Sequence, residues 1–197
     1  MLKEKLEAKG YTLILASGSP RRQQFFKDLH LPFEVRLKPV EEIYPKHLKE
    51  AQISDYLAVL KANALKDTIK EKEILITSDT IVWHNNSCLE KPKHTTEARQ
   101  MLHSLSGDTH KVITSLCITT TTSQEVLHYT TEVTFAAIDS AEVDYYIAQY
   151  NPFDKAGSYG IQEWIGHIAV TQIKGSYNNV MGLPTHILYK TLIRMVS

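Results

Sequence analysis

Leu13-Ile14-Leu15-Ala16-Ser17-Gly18-Ser19-Pro20-Arg21-Arg22 begins as a short apolar run of strand type and breaks at Ser17-Gly18-Ser19-Pro20. Beyond the break, Phe25, Phe26 and Leu29 recur at helical spacing. Ser19 is a good N-cap residue, and Pro20 falls at the first helical position, where its missing N–H costs nothing. Arg21 and Arg22 then occupy the first turn, against the positive end of the helix dipole, where an acidic residue would be favoured. Cap electrostatics are worth only ~0.3–1 kcal/mol. The two arginines therefore read either as solvent-facing or as one wall of an anion pocket, with unpaired backbone N–H groups as the other. The turn is not a P-loop, since G-x-x-x-x-G-K-[ST] is missing, and it lacks the G-x-G-x-x-G of a dinucleotide fingerprint.

Outward from this turn, residues 2–9 read as a helical lead-in and Phe33 to Leu37 as an alternating strand. A polar stretch from Lys38 to Pro45 carries Glu41 and Glu42. Ile53, Leu57, Leu60 and Ala64 mark an amphipathic helix over about 50–68, with Lys61 on its apolar side. Lys61 either snorkels or reaches into a cleft. Ile74 to Trp83 is the most apolar strand-like run, and Asp79 interrupts it. A carboxylate there sits at a strand end facing a site or is held by a turn, and the first is expected. His84-Asn85-Asn86-Ser87 predicts a hairpin.

Thr95 or Thr96 opens a helix that Ser106-Gly107 ends, and His110 to Ile118 is a long strand. Thr119 to Thr122 reads as its fraying end and a turn. A strand over 125–138 precedes a helix capped by Ser140 and stopped by Asn151-Pro152. Residues 154–162 are irregular. His167 to Ile173 reads as strand, Gly175-Ser176-Tyr177 as a turn, and Pro184 to Arg194 as a closing helix. Strands and helices mix without a strict βαβ rhythm, which predicts an α/β fold with a mixed, partly antiparallel sheet.

The 197 residues make one ordinary domain, or one domain in two lobes. Lys plus Arg equals Asp plus Glu at 22 each, which argues against a broad nucleic-acid or membrane footprint. Cys88 and Cys117 lack zinc-ligand spacing and read as core thiols of a reducing compartment. The charged start, Met1-Leu2-Lys3-Glu4-Lys5, has no signal-peptide core and no run spans a membrane, so a soluble cytoplasmic protein is expected. The nine histidines show no H-E-x-x-H, which leaves a zinc hydrolase without support.

Four kinds of chemical group stand out: the double-arginine helix start, Lys61, the carboxylate of Asp79 and a second lysine, Lys91, in Glu90-Lys91-Pro92. Cations beside carboxylates are what metal-assisted cleavage of a polyphosphate requires. A carboxylate can also deprotonate the attacking water.

Six blocks carry a family resemblance. They are Leu15 to Arg22, Ser78-Asp79-Thr80-Ile81-Val82, Glu90-Lys91-Pro92, Leu105-Ser106-Gly107 with His110 and Val112, Asp154-Lys155-Ala156-Gly157 with Tyr159-Gly160-Ile161-Gln162, and Gly175-Ser176-Tyr177 with Gly182-Leu183-Pro184. In family order, over about residues 12–190, they closely resemble the Maf (septum-formation) family of nucleoside triphosphate pyrophosphatases. The resemblance implies a single domain over residues 1–197. Its fold would be an elongated two-lobed α/β fold, with a mixed sheet, flanking helices and a central cleft, like that of inosine-triphosphate pyrophosphatases. It implies cleavage between the α- and β-phosphates with a divalent cation, Mg²⁺ or Mn²⁺, and suggests a homodimer. Asp79 takes the place of the proton acceptor, and Glu42 joins it as a metal carboxylate. Ser19, Arg22, Lys61, Lys91 and Lys155 take substrate-binding places.

Arg21, Thr80 and Gln162 match the set marking the branch that prefers dTTP and UTP. The amide of Gln162 can donate and accept at once, which suits the imide edge of uracil and thymine. The alternatives are the sister branch acting on 7-methyl-GTP, and a non-catalytic nucleotide sensor in cell division. Glu163-Trp164-Ile165 departs from the small residues usual after the glutamine, and His167-Ile168-Ala169 from the usual F-V.

Overall fold

The computed structural model describes residues 1–197. In chain order the elements are α1 (Leu2–Lys9), β1 (Thr12–Leu15), α2 (Pro20–Asp28), β2 (Phe33–Val35), α3 (Ala51–Leu65), β3 (Glu73–His84), β4 (Ser87–Leu89), α4 (Thr95–Leu105), β5 (Thr109–Thr119), β6 (Gln124–Phe135), α5 (Ser140–Tyr150), α6 (Trp164–Ala169), β7 (Val170–Lys174), α7 (Tyr177–Val180) and α8 (Thr185–Met195). The seven strands form one mixed sheet in the order β2-β1-β3-β5-β6-β7, with β4 paired to β3. β1 runs parallel to β2 and β3, whereas the β3–β4 and β6–β7 pairs are antiparallel. The mixed α/β architecture expected from the sequence is therefore present. No helix is long and apolar enough to cross a membrane.

The chain divides into two compact units. The first holds Met1–Asp79, Thr114–Tyr129 and Gly182–Ser197. In it Ile14 of β1 lies opposite Leu75 of β3, and both pack with Ala58, Ala62 and Leu65 of α3 and with Cys117. These residues are almost fully buried, and small alanines on α3 let the helix lie close to the sheet. Side chains two apart on a strand share a face, so Leu75, Thr77 and Asp79 all turn toward α3. Thr77 donates its hydroxyl to the Ala58 carbonyl at 2.7 Å.

The second unit holds Thr80–Ile113 and Thr130–Met181. Its core gathers Val82, Ala98, Leu102, Leu105, Phe135 and Tyr146, among others. Gly157, at φ 67°, lies against Val82, where an added Cβ would come within 2.9 Å of a methyl group. Only a residue without a side chain lets this loop close on the strand.

Several local expectations are corrected. α5 is capped by Asp139, whose side chain accepts from the Glu142 N–H in a capping box, and not by Ser140, the first helical residue. Thr95 opens α4 as expected, and His94 before it caps the helix through its ring nitrogen. Residues 167–169 are helical, because burying Ile165 and Ala169 together needs a four-residue spacing. Gly166 lets that helix touch the Ile161 backbone. Tyr177 begins a helical turn capped by Ser176. Cys117 is buried as expected, but Cys88 is only half-buried, on the short strand β4. Asn85 and Asn86, both at positive φ, make the expected hairpin.

Arg36 clamps Glu73 with two hydrogen bonds of 2.9 Å, tying the chain after β2 to the start of β3. The guanidinium holds Glu73 at about 2, against an ordinary 4.5. A depressed carboxylate stabilises the fold fully above its unfolded value and loses that contribution as pH falls through the folded one. Glu73→Gln is expected to remove on the order of 1 kcal/mol of stability at pH 7, after solvent screening, and almost none near pH 2. Urea unfolding of both proteins across that range measures it.

Candidate active site

The first unit gathers one group of charged side chains. Lys61 extends from α3 and donates to Asp79 Oδ1 at 2.6 Å, and its ammonium stands 3.0 Å from Glu42 Oε1. The lysine therefore does not snorkel; it reaches the buried strand. Asp79 is 5% exposed and lies within β3, not at the strand end that the sequence suggested. Its acidic side chain is tolerated there because a cation meets it at hydrogen-bond distance. Burial pushes the Asp79 carboxyl upward; Lys61 and Arg22 pull it back, and Glu42 adds to the rise.

The Ser17–Arg22 turn follows β1 in the same unit. Ser19 occupies the N-cap position of α2 in extended conformation, but its hydroxyl makes no capping bond, so the expected side-chain cap is absent. Ser17, which sequence reasoning did not assign a role, organises the turn: its hydroxyl accepts from the Ser19 N–H at 3.2 Å and from Arg22 Nη1 at 3.4 Å. Arg22 Nε donates to the Gly182 carbonyl at 2.8 Å. That same carbonyl accepts from the Ser78 hydroxyl at 3.3 Å. One peptide oxygen thus links the α2 arginine to the residue beside Asp79. Burial lowers the Arg22 guanidinium and the Asp79 charge opposes that shift, which couples the two groups electrostatically. Arg21 is half-buried in the same helical turn.

The second unit holds the remaining predicted residues. Lys155 is buried and its ammonium meets Asp154 at 2.6 Å and Glu163 at 3.1 Å. Lys91 is exposed after β4, and the carbonyl of the preceding Glu90 accepts from the Gly157 N–H at 3.2 Å, next to the Lys155 turn. Gln162 and Thr80 are half-buried. Glu163 and Tyr146 complete this group and were not assigned roles from sequence; the signal was Glu163 itself, standing where small residues are usual. His110 is driven down to about 3 by burial, so it is neutral and part of the packing with Phe135 and Tyr159.

No three side chains among His, Cys, Asp and Glu converge as a metal-ligating group. Glu42 and Asp79 nevertheless present two carboxylates to one point, and that point already holds a cation, the Lys61 ammonium. Two hard oxygen donors suit a small divalent ion that takes its other ligands from water and phosphate. The donor set fits such an ion.

The pairing of Lys61 with Asp79 is expected to dominate local stability. Removing one partner of a buried pair leaves the other charge uncompensated. Lys61→Ala is expected to cost on the order of 3 kcal/mol, and the double variant with Asp79→Asn to recover part of that loss. Denaturant unfolding of the four proteins in the cycle checks it, and additive single losses would contradict the pairing.

The chain matches the family described as Maf-like protein over residues 12–195. A protein of Flavobacterium johnsoniae named dTTP/UTP pyrophosphatase is 59% identical, with all of both chains covered. One of Christiangramia forsetii, with the same name, is 51% identical over all of both chains. Among solved structures, a nucleoside-triphosphatase / dITP/XTP pyrophosphatase from Mycobacterium abscessus is similar at 9% identity. It has a TM-score of 0.41, covering 91% of this chain and 92% of that one. With the family matched across nearly its whole length and relatives more than half identical, the chain belongs to the Maf-like protein family.

Proposed function

We propose that this protein is a dTTP/UTP pyrophosphatase, the activity its relatives are named for, acting on the anhydride between the α- and β-phosphates. The observation that carries the mechanism is Asp79, a carboxylate buried in a strand and hydrogen-bonded by Lys61. In the proposed step a water oxygen bonds to the α-phosphorus and gives its proton to Asp79. The bond from that phosphorus to the bridging oxygen breaks, and pyrophosphate leaves with the electron pair. The other product is the nucleoside monophosphate.

Asp79 must be ionised to accept the proton, and Lys61 and Arg22 favour that form against the desolvation that opposes it. Desolvation also makes the carboxylate a stronger base than one in water. Ser19, Arg22, Lys61, Lys91 and Lys155 are the residues proposed to hold the substrate. Arg22 enters with its guanidinium already oriented by Ser17 and Gly182, so little rotamer freedom is lost when it meets a phosphate. Glu42 and Asp79 would hold a divalent cation, Mg²⁺ or Mn²⁺, which when bound offsets the negative charge of the phosphate oxygens.

Arg21, Thr80 and Gln162 are proposed to select the pyrimidine base. The domain is read as the whole of residues 1–197. The protein is read as cytoplasmic, with a homodimer suggested by the family resemblance, and as lacking nucleic-acid and membrane partners, the last of which the balanced charge of the chain supports.

The test is a panel of dTTP, UTP, dCTP and 7-methyl-GTP with Mg²⁺ and pyrophosphate as the readout. Turnover of dTTP and UTP is expected, with Asp79→Asn lowering kcat by about 10²-fold or more while nucleotide affinity changes little. Equal rates for wild type and Asp79→Asn would reject the base assignment. Preference for 7-methyl-GTP would reject the pyrimidine assignment.

A further inference from the structure

Glu163 stands at the N-cap of α6, where a carboxylate would ordinarily bond the helix's own N–H groups, yet it makes no such bond. Its carboxylate turns back instead. Oε2 accepts a hydrogen bond from the Tyr146 hydroxyl, and Oε1 meets the Lys155 ammonium at 3.1 Å. The Tyr146 oxygen also accepts from the Gly160 N–H at 3.0 Å, and the Glu163 N–H closes the turn onto the Gly160 carbonyl at 2.9 Å. Tyr146 is fully buried, so its hydroxyl has a fixed place in the second unit.

Gly160 makes this arrangement fit. A Cβ there would stand 2.7 Å from Glu163 Cδ and 3.0 Å from Gln162 Nε2. The carboxylate of Glu163 and the amide of Gln162 therefore both lie over the same glycine. The turn from Gly160 to Glu163 contains Gln162 and is held at both ends through one tyrosine oxygen and one carboxylate. The same carboxylate offsets the charge of a buried lysine whose other partner, Asp154, is exposed.

We infer that Glu163 is a positioning residue, setting the place of the Lys155 ammonium and the pose of Gln162 together, so that phosphate binding and base selection share one support. This rests on the pyrophosphatase reading above, in which Lys155 holds substrate and Gln162 reads the base. Glu163 touches neither reacting atoms nor, on this account, the nucleotide. It acts through its two neighbours.

The test is steady-state kinetics of the full chain with dTTP and dCTP, for wild type, Glu163→Gln and Tyr146→Phe. Glu163→Gln keeps an acceptor for the tyrosine and removes the negative charge that faces the Lys155 ammonium. It is expected to raise KM about tenfold for dTTP and about twofold for dCTP with kcat nearly unchanged, which lowers the dTTP-to-dCTP ratio of kcat/KM by about fivefold. Tyr146→Phe leaves the ion pair and frees the turn, so it is expected to lower the ratio with KM for dTTP changed less than about threefold. A merely structural role would lower the active fraction, and with it kcat, equally on both substrates. That result, or a wild-type ratio in both variants, overturns the inference while leaving the pyrophosphatase reading intact. Wild-type protein that turns over neither nucleotide overturns both.

Discussion

A buried carboxylate in the middle of a strand is costly unless a cation meets it, and the first unit is built to supply one. The face of β3 that carries Leu75, Thr77 and Asp79 is covered by α3, whose Ala58, Ala62 and Leu65 fill the apolar end. At the polar end Lys61 contacts Asp79 and Glu42 together. The apolar contacts fix the height of the helix over the strand, and that height decides where the lysine's charge falls. Packing and electrostatics are therefore one constraint: a helix displaced along the strand would leave both a void beside Leu75 and an unpaired charge at Asp79. The turn at Ser17–Arg22 is fastened to the same strand through the Gly182 carbonyl, which Arg22 and Ser78 share.

The second unit solves a different problem, fixing an irregular loop that contains little regular backbone hydrogen bonding of its own. Tyr146 reaches from α5 to the Gly160 N–H and to Glu163, and Glu163 continues to Lys155. Burial and the adjacent Glu163 carboxylate both raise the tyrosine's affinity for its proton, so the hydroxyl remains a donor at every physiological pH. A carboxylate, a phenol and an ammonium hold three loop residues in place with few side chains. Charge-assisted bonds of this kind are stronger than neutral ones, and that strength lets a loop serve where a strand or helix is usual.

Much of this was legible in the chain. The Ser-Gly-Ser-Pro break marks a strand-to-helix turn because Pro20 can begin a helix but not continue one, and α2 starts there. Lys61 was visible as an anomaly of helical periodicity, and Asp79 as an anomaly of strand composition; nothing local in either segment says that they answer each other. That pairing is tertiary, as is the use of one peptide carbonyl by Arg22 and Ser78. The differences between expectation and structure have the same origin. His167 to Ala169 leads straight into the strand-favouring Val170 to Ile173, and burial of Ile165 with Ala169 keeps it in the preceding helix. Asp139 lost its place to Ser140 because both are capping residues, and only the reciprocal bond with Glu142 chooses between them. The sequence marks Glu163 only as a departure from a pattern; its partners, seventeen and eight residues upstream, appear only in the folded loop.

The central claim is that Asp79 is a desolvated carboxylate whose charge is maintained by Lys61. Titrating the Asp79 side-chain carboxyl by ¹³C NMR in the wild type and in Lys61→Met tests it most directly. The account predicts a wild-type midpoint above the ordinary 3.8, and a further upward displacement once the ammonium is gone. A midpoint at or below 3.8 in the wild type, or one that Lys61→Met leaves in place, would contradict it.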